Sequence, residues 1–161
     1  MLLAGNAFAL SGDRAQPINI NADRISLNQR TGIATYYGHV TLTQGSLHIE
    51  ADKVVASVHG NVIQQIDAYG KPVRFRERPH RQVPEITGSA LHLMYAAPRH
   101  LLVLQKQVVV RQGHNSFTGA AMRYNILSQQ LDVTGNTATG RVHAVIVPKQ
   151  VRSTSKPRPS P

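Results

Sequence analysis

The feature of this chain that most limits its fold is an alternation of apolar and polar residues that recurs along its length. Residues 40–43 (VTLT) and 47–50 (LHIE) are two examples. Turn-forming residues interrupt the pattern about every 8 to 12 residues, and a period of two is that of half-buried β-strands. No long stretch has apolar side chains at helical spacing, so the sequence predicts an all-β fold.

A short template occurs four times within this pattern. It consists of an apolar residue, a small residue two positions later, and apolar residues five and seven positions after the first. Side chains alternate between the two faces of a strand, so the apolar residues on either side of the small residue cannot share one face of a straight strand. We therefore expect a bulge or corner near each small residue. The copies are Ile20/Ala22/Ile25/Leu27, Ile49/Ala51/Val54/Ala56, Ile86/Gly88/Leu91/Leu93 and Phe117/Gly119/Met122/Tyr124.

Four such corners in register would fold the strands around one apolar interior with a V-shaped section. With about three strands in each unit, we expect an open, twisted β-jelly roll of roughly 12 to 16 stacked antiparallel strands. The chain contains no Cys and no Trp. It therefore lacks the landmarks of immunoglobulin-like sandwiches, and it cannot form a disulfide scaffold or a thiolate zinc site.

The length of 161 residues fits one domain with a short segment at each end. Residues 1–9 (MLLAGNAFA) are apolar and end in a small-x-small sequence, which predicts the remnant of a truncated signal peptide and hence export. Residues 10–148 are expected to form the β-jelly-roll domain. Residues 149–161 combine prolines with basic residues, which predicts a disordered basic tail.

An open stack of strands leaves a first and a last strand with unpaired backbone groups. We expect the first strand near residues 17–22 and the last near residues 142–147. In both segments the residues with the strongest β-propensity are uncharged, so no charge protects these edges. These edges can pair with another chain, unless the leader and the tail cover them. The candidate edge-pairing residues are Pro17, Ile18, Asn19, Ile20, Val145, Ile146 and Val147.

Several motifs spread over about residues 12–150 have the order of those in a known family. They are 16–23 (QPININAD), 37–40 (YGHV), 44–54 (QGSLHIEADKV), 69–75 (YGKPVRF), 94–95 (MY) and 145–148 (VIVP). In these segments the chain resembles the LptA/OstA family of periplasmic lipopolysaccharide transport proteins. It departs from the family at Lys106-Gln107, where Gly-Asn is usual.

The resemblance implies a non-enzymatic periplasmic carrier that receives lipopolysaccharide from an inner-membrane complex and delivers it to an outer-membrane complex. It implies an LptC-like partner at the N-terminal edge and an LptD-like partner at the C-terminal edge. It also implies that copies of the fold associate edge to edge, so that their apolar interiors shelter the acyl chains of lipid A along a continuous bridge.

Lipid transport requires a continuous apolar lining, because each methylene exposed to water costs about 0.8 kcal/mol. The inward faces of alternating strands supply such a lining. Plain core packing is the alternative for every residue assigned to it. The candidate lipid-binding residues are Ile18, Ile20, Tyr36, Ile49, Phe75, Tyr95, Leu102, Leu104, Val108, Phe117 and Tyr124.

Two arginines, Arg74 and Arg76, are candidates for phosphate contacts, because the lipid headgroup is anionic and arginine forms charge-assisted bonds with phosphate. Both flank Phe75 with opposite parity, so they lie outside the groove if Phe75 lies inside it. The alternative is that they belong to a solvated basic surface.

A formal net charge of +10 also raises the alternative of a basic β-domain that binds nucleic acid or another anionic polymer. The charge is spread thinly and is not interleaved with stacking aromatic residues, which argues against nucleic acid. The sequence has no paired-histidine metal motif, no nucleophile elbow and no glycine-rich phosphate loop. We therefore expect no catalytic residues, no metal site and no cofactor.

Overall fold

β-strands make up nearly all the regular structure in residues 16–135 and 140–148, which are the residues that this computed structural model describes. The predicted leader remnant and basic tail lie outside the described residues. A 3₁₀ turn, Ala97–Arg99, connects two of the strands. The strands are β1 (Asn19–Asn21), β2 (Arg24–Asn28), β3 (Ile33–Gln44), β4 (Leu47–His59), β5 (Val62–Glu77), β6 (Ile86–Ala96), β7 (Leu101–Gln112), β8 (Asn115–Asn125), β9 (Gln130–Thr134) and β10 (His143–Val145).

The strands form one antiparallel sheet in the order β1-β3-β4-β5-β6-β7-β8-β10. The short strand β2 also pairs with β3, and β9 also pairs with β8. The first and last strands of this path do not pair with each other, so the sheet is open. The open, all-β fold expected from the sequence is confirmed.

Each long strand passes through a corner at which the pairing register shifts. The corner divides the sheet into two wings. The first wing contains β1, β10 and residues 40–44, 47–51, 73–77, 86–90, 108–112 and 115–119. The second wing contains β2, β9 and residues 33–37, 53–59, 62–69, 92–96, 101–105 and 121–125.

The described residues form 10 strands, fewer than the roughly 12 to 16 expected for a jelly roll of this length. The reason is that β3 to β8 continue through the corner without breaking. Each of them therefore supplies one segment to each wing, where the sequence pattern had indicated separate short strands.

The change of phase predicted by the template is clear in β4. Ile49 and Ala51 are buried before the corner, and Val54 and Ala56 are buried after it. The strand β8 follows the same rule, since Met122 is buried with opposite parity to Gly119. In both strands, the corner returns apolar side chains to the interior as the sequence predicted.

Two other copies of the template deviate. In β6 the buried residues on either side of the phase change are Ala90 and Leu93, so the phase changes later than expected and Leu91 is only half-buried. In β2, Ile25 and Leu27 are 56% and 57% exposed. Among the described strands, this one pairs with β3 alone and forms an edge of the sheet. Its side chains therefore have no neighbouring side chains on their other flank and stay exposed.

The extra residues at the corner lie in β3, β5 and β7 and not at the small residues of the template. Gly38 and His39 in β3 have positive φ angles, as do Lys106 and Gln107 in β7. Left-handed backbone favours Gly and tolerates Asn. The Gly-Asn usual in the resembling family fits this corner better than Lys106-Gln107 does.

The buried side chains of both wings belong to one apolar cluster. Leu42, Val73 and Val110 come from the first wing, and Ile66 and Leu93 come from the second. The two wings therefore share one core. No helix in the described part of the chain is long and apolar enough to cross a membrane.

Candidate functional site

Most of the predicted lining residues lie in the shared interior of the two wings. Seven of them are at most 3% exposed, and four are half-buried. The buried residues are Ile49, Phe75, Tyr95, Leu102, Leu104, Val108 and Tyr124. The half-buried residues are Ile18, Ile20, Tyr36 and Phe117.

The half-buried lining residues lie near the two ends of the sheet. Ile18 and Ile20 are in or next to β1, and Tyr36 pairs with Ile25 of the edge strand β2. At the opposite end, Phe117 pairs with Ala144 of β10. The interior is thus fully covered in the middle of the sheet and partly open towards both ends.

Two tyrosine hydroxyls join the wings at their margins opposite the corner. Tyr95 in the second wing donates a hydrogen bond to Gln44 Oε1 in the first wing, at 3.1 Å. Tyr124 in the second wing donates to Glu77 Oε2 in the first wing, at 3.2 Å. We call these four residues the margin contacts. They hold together the margins that must separate if a guest molecule is to enter between the wings.

The buried carboxyl group of Glu77 is a feature that the sequence reasoning missed. Glu77 is 3% exposed and is the buried charged residue of the core. A signal was present, because Val73, Phe75 and Glu77 share one parity in β5, and the first two were expected to face inwards. The interior therefore contains a polar group that can hydrogen-bond, next to an otherwise apolar lining.

The edge strands lie where the sequence placed them, with β1 at one end of the sheet order and β10 at the other. Around β10, Val145, Ile146 and Val147 are 45%, 67% and 50% exposed. The backbone N–H of Val147 donates to Asn115 Oδ1, at 3.1 Å. The pairing of these edges, including Pro17 and Asn19, with another chain stays a prediction.

Each end of the sheet has a second edge that the sequence reasoning missed. The strand β2 forms the edge of the second wing beside β1, and β9 forms the corresponding edge beside β10. The exposed Ile25 and Leu27 belong to the first of these edges. Leu131 and Val133 of the other are partly buried against the core. An apolar surface therefore reaches both ends of the second wing.

Arg74 and Arg76 are exposed on the outer face of the first wing, whereas Phe75 between them is buried. This confirms that the two arginines face away from the interior, as their parity predicted. Their contact with phosphate stays a prediction.

Several histidines lie beside carboxylates at the surface. His39 Nδ1 lies 2.8 Å from Asp23 Oδ2, and His92 Nε2 lies 2.9 Å from Asp67 Oδ1. The hydrogen bond to Asp23, and then the negative charge of that residue, raise the pKa of His39. In residues 16–135 and 140–148, no three His, Asp or Glu side chains come together as metal ligands.

Comparison with known proteins identifies the family of this fold. Residues 19–130 match the family described as "LptA/(LptD N-terminal domain) LPS transport protein". The chain belongs to this family. Two LptA-family relatives are the lipopolysaccharide export system proteins LptA of Haemophilus influenzae and of Escherichia coli K12. The first is 33% identical over 156 residues, covering 94% of this chain and 89% of the relative. The second is 32% identical over 148 residues, covering 91% and 79%.

A solved structure of the LptA family has the same fold. It is LptH of Pseudomonas aeruginosa, described as the LptA homologous periplasmic component of the lipopolysaccharide transport device. The two structures superpose with a TM-score of 0.78 at 28% identity, covering 84% of this chain and 99% of the other. The family resemblance found in the sequence motifs is confirmed.

Proposed function

We propose that this LptA-family protein is a non-enzymatic periplasmic carrier of lipopolysaccharide. In this proposal, the acyl chains of lipid A lie among the apolar side chains between the two wings, and the lipid moves from the inner towards the outer membrane. The observation that carries the proposal is the single apolar cluster, which extends from Ile18 and Ile20 beside one edge to Leu131 and Val133 beside the other.

The free energy of acyl-chain burial suits this interior. Sheltering each methylene from water is worth about 0.8 kcal/mol, and aliphatic side chains such as Leu102, Leu104 and Val108 provide unspecific apolar contact. These side chains are packed in the structure, with 0% exposure. An acyl chain therefore enters by separating the wings, which breaks the margin contacts of Tyr95 and Tyr124.

The two ends of the sheet are the proposed docking sites for protein partners. We assign an LptC-like inner-membrane component to the edge of β1 and β2, and an LptD-like outer-membrane component to the edge of β10 and β9. Copies of this chain associate through the same edges. Edge strands can add a strand from a partner, and the partly open interior at each end would then continue into the next molecule.

The family match favours transport over the alternative of a domain that binds nucleic acid. The relatives are named as lipopolysaccharide export proteins. A basic surface is also expected in a protein that handles an anionic lipid. The positive charge therefore needs no polynucleotide partner to explain it.

Photo-crosslinking in living cells tests the proposed interior route. A benzoylphenylalanine at position 75 or 95 should capture lipopolysaccharide, because Phe75 and Tyr95 are buried between the wings. The matched control is position 94, because Met94 directly precedes Tyr95 in β6 and has the opposite parity. Position 76 does not serve as a control, because Arg76 is itself a candidate for phosphate contact. Capture at 75 and 95 without capture at 94 is the expected result. Equal capture at 94, or capture at 94 alone, contradicts the interior route.

A third crosslinking position guards against unfolding by the bulky probe. Tyr36 is half-buried near the edge, so a benzoylphenylalanine there disturbs the core less than one at a fully buried site. Circular dichroism of each purified variant should give the same β-sheet spectrum as the wild type. A folded Tyr36 variant that captures no lipopolysaccharide counts against the proposed lining.

A further inference from the structure

A cleft of about 340 Å³ lies on the outer face of the first wing, across the sheet from the apolar interior. Its walls come from the four neighbouring strands β4, β5, β6 and β7. Eight of its ten described lining residues have opposite parity to the buried residues Ile49, Phe75 and Val110 of the same strands. The other two, Phe75 and Gly88, lie between these outward-facing residues in β5 and β6. The polar groups of the cleft therefore lie on the face of the sheet opposite to the buried side chains.

The strand register builds the cleft from two rows of side chains. In one row, His48 pairs with Arg76, Arg76 with Thr87, and Thr87 with Arg111. The adjacent row contains Glu50, Arg74, Ser89 and Val109 in the same order of strands. Residues that are far apart in the sequence thus meet on one small surface.

The three arginines of the cleft have no carboxylate partner within 4.0 Å in the described part of the chain. Glu50 is the carboxylate among the described lining residues, and its Oε1 lies 3.2 Å from His48 Nε2. Arg74, Arg76 and Arg111 therefore leave an excess of positive charge over Glu50. Guanidinium groups gathered without a counter-ion favour an oxyanion ligand.

The remaining groups narrow the ligand class. Thr87 and Ser89 contribute hydroxyl groups that donate and accept, and the Glu50 carboxylate only accepts. Inorganic phosphate has only one or two hydroxyl groups that can donate to the Glu50 carboxylate at neutral pH. A sugar phosphate, in contrast, carries several hydroxyl groups that can donate to Glu50 and bond to Thr87 and Ser89 while its phosphate lies on the arginines. The cleft volume lies within the range of small-molecule sites. We propose that this cleft binds a phosphorylated sugar, with phosphate on the arginines and sugar hydroxyls on Glu50, Thr87 and Ser89.

This site does not depend on the proposed carrier function, because its charged and hydroxyl groups lie on the face of the sheet opposite to the interior. The phosphorylated sugar has two conceivable sources with the same chemistry: the headgroup of a glycolipid and a soluble sugar phosphate. Arg74 and Arg76 are also the candidates for phosphate contact in the sequence. The cleft adds Arg111 of β7 and the polar residues of β4 and β6 to them.

Calorimetric titration of the full chain tests the site with three compounds: glucosamine 1-phosphate, inorganic phosphate and glucosamine. We expect glucosamine 1-phosphate to bind more tightly than either of the other two. Arg74→Gln and Arg111→Gln should each weaken it by about tenfold or more, since each removes a charge-assisted contact. The matched control is Arg30→Gln, which removes the same charge from an exposed turn outside the cleft and should leave the affinity within about twofold.

The outcomes separate a built site from a merely basic surface. Equal binding of phosphate and glucosamine 1-phosphate overturns the proposal, as does an equal loss of affinity in Arg30→Gln and Arg74→Gln. The arginines are exposed, so these variants should keep the fold. Competition by lipopolysaccharide for the bound glucosamine 1-phosphate identifies a glycolipid headgroup as the source, and binding undisturbed by lipopolysaccharide identifies a soluble sugar phosphate.

Discussion

The ring of Phe75 lies against the backbone of Gly88 on the neighbouring strand, in the space that a β-carbon at position 88 would need. The two residues are direct register partners of β5 and β6. The sequence analysis attributed the small residue at position 88 to a bend of the backbone. The contact gives another reason, because the bend in β6 lies beyond Ala90.

Gly88→Ala should therefore destabilise the protein by about 1–3 kcal/mol, the usual cost of overpacking a core. A loss of stability would be informative, because Gly→Ala at an unstrained position normally stabilises a protein by about 0.4–1 kcal/mol. Urea denaturation measures the change in the free energy of unfolding. Phe75→Leu should remove most of the cost of Gly88→Ala in a double-mutant cycle. Gly88→Ala that is as stable as the wild type contradicts the steric explanation.

The margin contacts should differ in strength. Tyr124→Phe removes a donor from the buried Glu77 carboxyl group, so it should cost about 1–3 kcal/mol of unfolding free energy. Tyr95→Phe is the matched control, since its partner Gln44 is only partly buried and can bond to water instead, at a cost of about 1 kcal/mol or less. Chemical denaturation of both variants gives the comparison. A larger loss for Tyr95→Phe would show that Glu77 does not depend on Tyr124.

Alternation along each strand was enough to predict which residues face the interior. Ile49, Phe75 and Tyr95 are buried and Arg74 is exposed, because the period of two is a local property of any strand. The same rule places Glu77 inside, but an acidic residue was not considered for an apolar interior.

Features that depend on pairing between distant strands could not be predicted. The exposure of Ile25 follows from the position of β2 at an edge, and the orientation of Leu91 follows from the exact place of the corner in β6. The approach of Arg111 to His48 and Arg76 requires the register of four strands. Local patterns in one sequence contain no direct information on that register.

His39 should respond to pH through its contact with Asp23. The hydrogen bond and the charge of Asp23 raise the pKa of His39 above its ordinary value of 6.5. Because the folded pKa is raised, the stabilisation is fully present below pH 6.5 and is lost as the pH rises through the raised pKa. Both side chains are exposed, so the effect on stability is small and NMR titration of the His39 ring is the suitable measurement.

Asp23→Asn should lower the pKa of His39, and Asp52→Asn should lower it less, because Asp52 contributes only a weaker charge effect. The two variants remove the same charge from neighbouring positions at the corner and so control for each other. A His39 pKa that is unchanged in Asp23→Asn, or that falls more in Asp52→Asn, contradicts the assigned cause.

Head-to-tail pairing of the edges can be tested with two proline variants. Ile18→Pro next to β1 and Ile146→Pro next to β10 each remove a backbone N–H at one end of the sheet. If the β1 edge of one molecule pairs with the β10 edge of the next, each variant alone should self-associate at least about fivefold more weakly than the wild type. An equimolar mixture should still form dimers, because each variant keeps one intact edge of the opposite kind.

Sedimentation velocity measures the self-association of each variant alone and of the mixture. Dimers in the mixture also show that both variants are folded. If Ile146→Pro alone self-associates like the wild type, the β10 edge takes no part; if the mixture stays monomeric although both variants fold, head-to-tail pairing is wrong.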